Sequence, residues 1–106
     1  MIPLRQYIDE HIERLNRLDQ EMPLMQVRID AADPERAFHL QRAVNDLKRA
    51  RDAADQKLLE LFSLRSAEWA SEPVVANTEA VWGELQAALH VTVTLFNGFH
   101  DLLEHI

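Results

Sequence analysis

From residue 4 to residue 29, apolar residues and one histidine recur at alternating intervals of four and three. The series is Leu4, Ile8, His11, Leu15, Leu18, Met22, Met25 and Ile29. Because an α-helix has 3.6 residues per turn, these steps place every member on one stripe, which predicts a helix over about residues 3–30. Pro23 removes a backbone donor inside this span, yet the spacing continues across it. The pattern therefore favours a kink near Pro23 over a helix end there, without deciding between them.

A second series follows a helix-start signal. Asp33 can accept hydrogen bonds from the free amides of a new helix, and Pro34 suits its first position because the missing N–H costs nothing there. The series is Leu40, Val44, Leu47, Arg51, Ala54, Leu58, Leu61 and Arg65. It predicts a second helix over about residues 34–70, which the Pro-containing segment 71–73 ends.

The third series predicts a helix over about residues 74–105. Its members are Thr78, Trp82, Leu85, Leu89, Thr92, Phe96, Phe99, Leu103 and Ile106. A competing local signal lies inside it, since residues 91–96 alternate β-branched side chains and Asn97-Gly98 follows, as in a strand and hairpin turn. We favour the helix because the spacing runs through this segment and the residues beyond it offer no partner strand.

The three series also fit one another. If the chain folds back at each connection, core positions fall at equal heights, so that Leu18, Leu47 and Phe99 share one level. The sequence therefore predicts an all-α domain, an antiparallel three-helix up-down-up bundle with heptad, coiled-coil-like packing.

The same register places His11, Arg51 and Thr92 near the middle of the predicted core. A buried arginine without a partner costs several kcal/mol, so Arg51 is expected to reach an acidic side chain such as Glu13 or Asp55, or to lie over Phe96. Two interpretations stay open. The layer either fixes the register of the helices or forms a pocket for a small molecule or a metal ion.

Helix 3 carries a second apolar stripe beside its core stripe. The members of this stripe are Val81, Ala88, Val91, Leu95, Gly98 and Leu102. With both stripes the helix is apolar over more than half its circumference, and it has no Lys or Arg. Such a helix is usually covered. Either the other two helices wrap it, or it binds a second copy or another protein, with the small Ala88 and Gly98 allowing close approach.

Composition excludes several classes of protein. With 2 Gly and 4 Pro, the chain lacks the turn signals of a β sandwich or barrel. With 0 Cys, it has no disulfide, thiolate metal site or cysteine nucleophile. No apolar run approaches the roughly 18 residues of a membrane span, and the first residues do not resemble a signal segment. A cytoplasmic protein is expected.

The formal net charge of -7 is concentrated in the C-terminal part of the chain, because all 11 Lys and Arg lie at or before Arg65. Beyond Arg65 the charged residues are Glu68, Glu72, Glu79, Glu84, Asp101 and Glu104. This charge repels nucleic acid and disfavours anionic membrane surfaces, so neither is expected as a partner. A protein with a basic surface fits better.

Motifs for catalysis or metal binding are missing from the sequence. It has no Gly-rich phosphate loop, no His-Glu-x-x-His and no Glu-x-x-His, and no serine stands at a recognisable spacing from a histidine and an acid. We therefore expect no enzyme, no cofactor and no metal site. The leading hypothesis is a small, acidic, non-enzymatic protein–protein interaction module of the inhibitor, immunity or antitoxin, chaperone or adaptor type, which binds a protein partner and itself through helix 3. The alternative is a small-molecule or metal sensor with its pocket at the His11, Arg51 and Thr92 level.

Overall fold

The computed structural model describes residues 3–63 and 72–106, and within these ranges it contains helices and no strands. The elements are α1 (Leu4–Ala31), α2 (Pro34–Phe62), α3 (Glu72–Phe96) and α4 (Asp101–His105). The predicted all-α class is confirmed, and the three long helices pack against one another. α2 ends at Phe62, earlier than in the predicted helix over about residues 34–70, and the predicted end near residue 70 lies outside the described residues.

The first two helices follow from their sequence patterns. All members of the first apolar series are buried in α1, and Tyr7 joins them. The helix continues through Pro23, so it does not end there. Asp33 caps α2 as predicted, with its Oδ1 accepting a hydrogen bond from the Arg36 amide at 3.0 Å, and Pro34 is the first residue of that helix.

Removal of the Asp33 cap is expected to destabilise the protein. Asp33→Ala leaves the Arg36 amide without its side-chain acceptor, and loss of such a cap costs about 1 kcal/mol. Urea unfolding followed by circular dichroism measures the change. Asp33→Asn is the matched control, since an asparagine cap is as good; an equal loss in both variants would show that the cap is not the cause.

The chain breaks at the end of α3, where the sequence predicted a continuous helix to about residue 105. The amide of Asn97 donates to Thr94 O at 3.3 Å and that of Gly98 donates to Val93 O at 3.4 Å. With Asn97 at a φ of 50°, these bonds form a Schellman cap, which ends a helix in a left-handed residue. The Asn97-Gly98 signal is thus a helix stop, and the predicted helix over 74–105 is wrong in its last part.

After this stop the chain turns back along α3. Trp82 Nε1 donates to Ile106 O at 3.2 Å, although the two residues are 24 positions apart. In a continuous helix they would be separated by about 36 Å along the axis. Segment 101–106 therefore does not extend the bundle; it folds back onto it.

The short helix α4 occupies a gap between α1 and α3. Within the described residues, α2 contacts α1 and α3 closely, whereas no Cα atom of α1 comes within 8 Å of one of α3. α4 contacts both α1 and α3. Where α4 does not fill the gap, large side chains span it, and the ring centroids of His11 and Trp82 are 4.6 Å apart. The wide α1–α3 gap is the reason that aromatic side chains are needed there.

The fold-back also corrects the predicted level of Leu18, Leu47 and Phe99. Phe99 lies in the turn after α3, and the Arg28 guanidinium sits over its ring at 4.6 Å from the centroid. Arg28 is ten residues after Leu18, about 15 Å further along α1. Phe99 therefore lies beside the C-terminal part of α1 and not at the predicted level of Leu18, because the turn displaces it from the predicted helical path.

Candidate functional site

Four members of the predicted second stripe are buried or partly buried against other parts of the chain. Val81 and Ala88 are half-buried and pack against the hydrophobic core. Leu102 is only 2% exposed, since it lies on α4 and faces inward. Gly98 lies in the turn, where an added Cβ would be 2.5 Å from Arg28 Nη1. Much of this stripe is therefore covered by the protein itself.

Val91 and Leu95 are the two members that stay on the open surface, at 57% and 40% exposure. The exposed Glu84 precedes Val91 by seven residues on α3, so the three share one side of that helix. We call Glu84, Val91 and Leu95 the α3 surface. It combines exposed apolar area with a negative charge.

The α3 surface borders the start of α2. Arg36 Nη2 donates to Leu95 O at 3.2 Å, which fixes the end of α3 against α2. Beside this contact is an open, shallow groove of about 410 Å³, lined by Asp33, Glu35, Arg36, His39, Leu40 and Leu95. The groove is too open to enclose a small molecule.

A buried polar cluster joins α1 to α3 at the other end of the bundle. His11 Nδ1 lies 2.8 Å from Tyr7 O, and because a carbonyl oxygen only accepts, this nitrogen carries the proton of the neutral ring. Tyr7 Oη donates to Glu79 Oε1 at 3.0 Å. The His11 ring packs against Tyr7 and edge-on to Trp82. The cluster fixes the side chains that span the α1–α3 gap.

The electrostatics of the cluster follow from burial. Burial lowers the pKa of His11 below 6.5, with Nε2 lacking a hydrogen-bond partner among the described residues and lying 4.0 Å from Glu79 Oε1. Burial, reinforced by the bond to Glu79, raises the pKa of Tyr7 to about 12. Both side chains are therefore neutral at pH 7, and Tyr7 remains a donor to Glu79.

The predicted polar layer of His11, Arg51 and Thr92 does not assemble. His11 faces Trp82, and Thr92 is ten residues, or about 15 Å, further along α3. The Thr92 hydroxyl donates to Ala88 O of its own helix at 2.9 Å. The predicted layer is absent because α3 is shifted along α1, so that Trp82 and not Thr92 lies opposite His11.

Arg51 instead forms an ion-pair network at the edge of the α1–α2 contact. Its Nε and Nη2 donate to the two carboxylate oxygens of Asp19 at 3.0 and 2.8 Å. Its Nη1 lies 3.2 Å from Asp52 and 3.8 Å from Asp55. The expectation that Arg51 reaches an acid is confirmed. The side chain pairs α1 with α2 and does not line a pocket with His11.

The residues that the sequence left out of the site are Tyr7, Glu79 and Arg28. Tyr7 stands one turn before His11, so their stacking on α1 was readable from spacing alone. The bond from Tyr7 to Glu79 depended on the position of α3, and the contact of Arg28 with Phe99 depended on the turn. Neither could be read from a pattern within one helix.

No group of three or more His, Cys, Asp or Glu side chains is placed to hold a metal ion in residues 3–63 and 72–106. Over the same ranges, none of the helices combines the length and apolar character that crossing a membrane requires.

Acid is expected to destabilise the protein through His11. Because its pKa is lower in the folded chain than the 6.5 of the unfolded chain, the unfolded state takes up the proton first as the pH falls. The contribution of His11 to the free energy of unfolding is therefore complete above pH 6.5 and is lost as the pH drops from there through the folded-state pKa. Urea unfolding at intervals between pH 7.5 and pH 5 measures this loss.

The control for this prediction uses a second histidine. His11→Gln removes the group and should flatten the pH dependence, while His90→Gln, at an exposed position on α3, should keep it. An unchanged slope in His11→Gln would assign the effect to other groups.

The chain has no significant similarity to the known proteins with which it was compared. No family model matches the chain, and neither curated proteins nor solved structures gave a significant match.

Proposed function

We propose that this protein is a small, non-enzymatic interaction module that binds another protein through the α3 surface. The observation that carries the proposal is the exposure of Val91 and Leu95 beside Glu84, on a helix without Lys or Arg. The partner presents basic and apolar side chains that match this surface.

The free energy for binding would come mainly from the apolar residues. Covering the exposed parts of Val91 and Leu95 contributes roughly 1 kcal/mol each. Glu84 adds attraction for a basic partner. α3 and α4 contain no Lys or Arg, and their other acidic residues are Glu72, Glu79, Asp101 and Glu104. This charge raises the rate of encounter and selects the sign of the partner.

The scaffold in this proposal is an up-down-up bundle with heptad packing. Four contact pairs support this order: Asp19 with Arg51 and Gln26 with Gln41 between α1 and α2, and Tyr7 with Glu79 and His11 with Trp82 between α1 and α3. Moving up α1, the partner number falls on α2, which is the relation expected of antiparallel neighbours. His11 with Trp82 follows Tyr7 with Glu79 in rising order, as parallel neighbours do.

A selection from a displayed library of random peptides tests the proposed function. The immobilised protein is expected to enrich peptides that combine Lys or Arg with apolar residues, because these complement the α3 surface. The variant Val91→Asp/Leu95→Asp should lose binding of the enriched peptides by at least tenfold in Kd, since it replaces two apolar contacts with charges.

A matched variant controls for general surface hydrophobicity. Leu24 and Val27 of α1 are 52% and 65% exposed, comparable to Leu95 and Val91, and lie on a different helix. Leu24→Asp/Val27→Asp should leave binding of the enriched peptides unchanged. Equal losses in both variants, or enriched peptides without basic residues, would contradict the proposal.

A further inference from the structure

The turn between α3 and α4 interrupts an apolar spacing that does not itself break. Phe96, Phe99, Leu103 and Ile106 continue the steps of three and four that run along α3. If residues 97–100 were helical, α3 and α4 would form one helix whose core stripe runs unbroken from Thr78 to Ile106. The sequence thus supports two states of this segment, one folded back and one continuous.

The folded-back turn has an unfavourable backbone. Asn97 and Phe99 have φ angles of 50° and 67°, in the left-handed region. Asparagine tolerates this region, but a bulky aromatic residue such as Phe99 rarely adopts it. A short hinge under such strain is a recognised route to the exchange of a terminal element between copies of a protein.

The contacts that dock α4 are made with the body of the bundle, and only its first turn also bonds the hinge, where the Leu102 and Leu103 amides donate to Phe99 O and His100 O. Ile106 O accepts hydrogen bonds from Trp82 Nε1 at 3.2 Å and Gln86 Nε2 at 2.6 Å. Leu102 is buried in the core, and α4 lies against both α1 and α3. An α4 supplied by a second copy of the chain can make all of these contacts.

We propose that the protein forms a domain-swapped dimer in which residues 97–100 become helical and α4 of each copy packs between α1 and α3 of the other. The occupant of the gap is therefore the same segment, 101–106, in both states. Two things change. The hinge adopts a regular helix in place of two left-handed residues, and α4 packs on the body of the other chain and not on that of its own. This proposal stands independently of the α3 surface.

Two substitutions in the hinge shift the equilibrium in opposite directions. Gly98→Ala raises the helix propensity of the hinge. It also places a methyl group against the end of the Arg28 side chain, so the guanidinium must move off the Phe99 ring. Asn97→Gly accepts the left-handed conformation without strain and disfavours the continuous helix. Each change is worth about fivefold per hinge, so with two hinges the dimer dissociation constant should change more than tenfold.

Light scattering after size-exclusion chromatography measures the dimer fraction. Because exchange requires opening of the bundle, each protein is refolded from urea at a series of concentrations up to about 1 mM and then left to equilibrate. Gly98→Ala should dimerise at lower concentration than the wild type, and Asn97→Gly at higher concentration. Monomers only, for the wild type and Gly98→Ala alike, would overturn the proposal, as would a dimer that both substitutions change in the same direction.

A disulfide test separates exchange from simple face-to-face association. The chain has no cysteine, so Arg14→Cys and His105→Cys, which line one groove between α1 and α4, introduce one pair per chain, and each single variant reports any disulfide between like cysteines. In a swapped dimer this pair closes between chains, and non-reducing gels show a covalent dimer. If the isolated dimer forms only intrachain disulfides, exchange of α4 is excluded. Asn97→Gly, which should favour the monomer, serves as the control and should give intrachain disulfides.

Discussion

Replacement of Trp82 by alanine is expected to destabilise the protein by about 3–5 kcal/mol, the cost of deleting a large aromatic side chain from a packed core. Trp82 is only 2% exposed, packs edge-on against His11 and donates to Ile106 O. Its loss therefore opens the α1–α3 gap and releases the end of α4 together. Since a domain of this size is stable by roughly 5–15 kcal/mol, much of the native stability disappears. Urea unfolding followed by circular dichroism measures it.

Trp82→Phe separates the two contributions of this residue. Phenylalanine keeps most of the apolar volume and removes only the indole donor to Ile106 O, which still accepts from Gln86 Nε2, so the expected loss is smaller, about 1–2 kcal/mol. A loss below 1 kcal/mol in Trp82→Ala would show that the residue does not fill the space between α1 and α3.

Leu102→Asp is expected to cost at least about 3 kcal/mol, because it places a charge at a position that is 2% exposed. Leu95→Asp, on the α3 surface, should cost less than about 1 kcal/mol, since that position is 40% exposed. The two leucines are seven residues apart and would share one face of a continuous helix. The fold-back of α4 is what makes their environments different.

Thermal unfolding of the two variants measures this contrast. A large drop in Tm for Leu102→Asp and a small one for Leu95→Asp is the expected pair of results. Similar drops in both would mean that the two positions lie on the same face, as in an unbroken helix.

The fold class and the interior of the two N-terminal helices could be predicted from the sequence. The spacing of the first series identifies every core position of α1 except Tyr7, and Asp33 with Pro34 marks the start of α2. Both signals are local, since a helix and its cap depend on residues within a few turns. They need no knowledge of how the helices are arranged.

The position of α4 could not be predicted, because the same spacing fits a continuous helix and a helix that stops and resumes. Leu103 and Ile106 keep the steps of the third series in either case. The deciding contacts are non-local, such as Ile106 with Trp82 and Arg28 with Phe99. The Asn97-Gly98 pair did signal a break, but as a helix cap and not as a hairpin turn.

Whether a predicted site residue is exposed or buried depends on whether it lies before or after the end of α3. Val91 and Leu95 lie before the stop and are exposed, which is one of the two arrangements that the second stripe allowed. Gly98 and Leu102 lie in or after it, and the fold uses them internally. His11 was correctly placed in the core, but the shift of α3 puts Trp82 opposite it in place of Thr92.

The return of segment 101–106 onto α3 is tested most directly by NMR, through cross-relaxation between the indole proton of Trp82 and the methyl groups of Ile106. The sample is the Asn97→Gly variant at low concentration, where each chain is expected to hold its own α4. Trp82 Nε1 and Ile106 O are 3.2 Å apart in the fold described, so a nuclear Overhauser effect between the two residues is predicted. If α3 instead continued as one helix, they would lie about 36 Å apart and no effect would be observed.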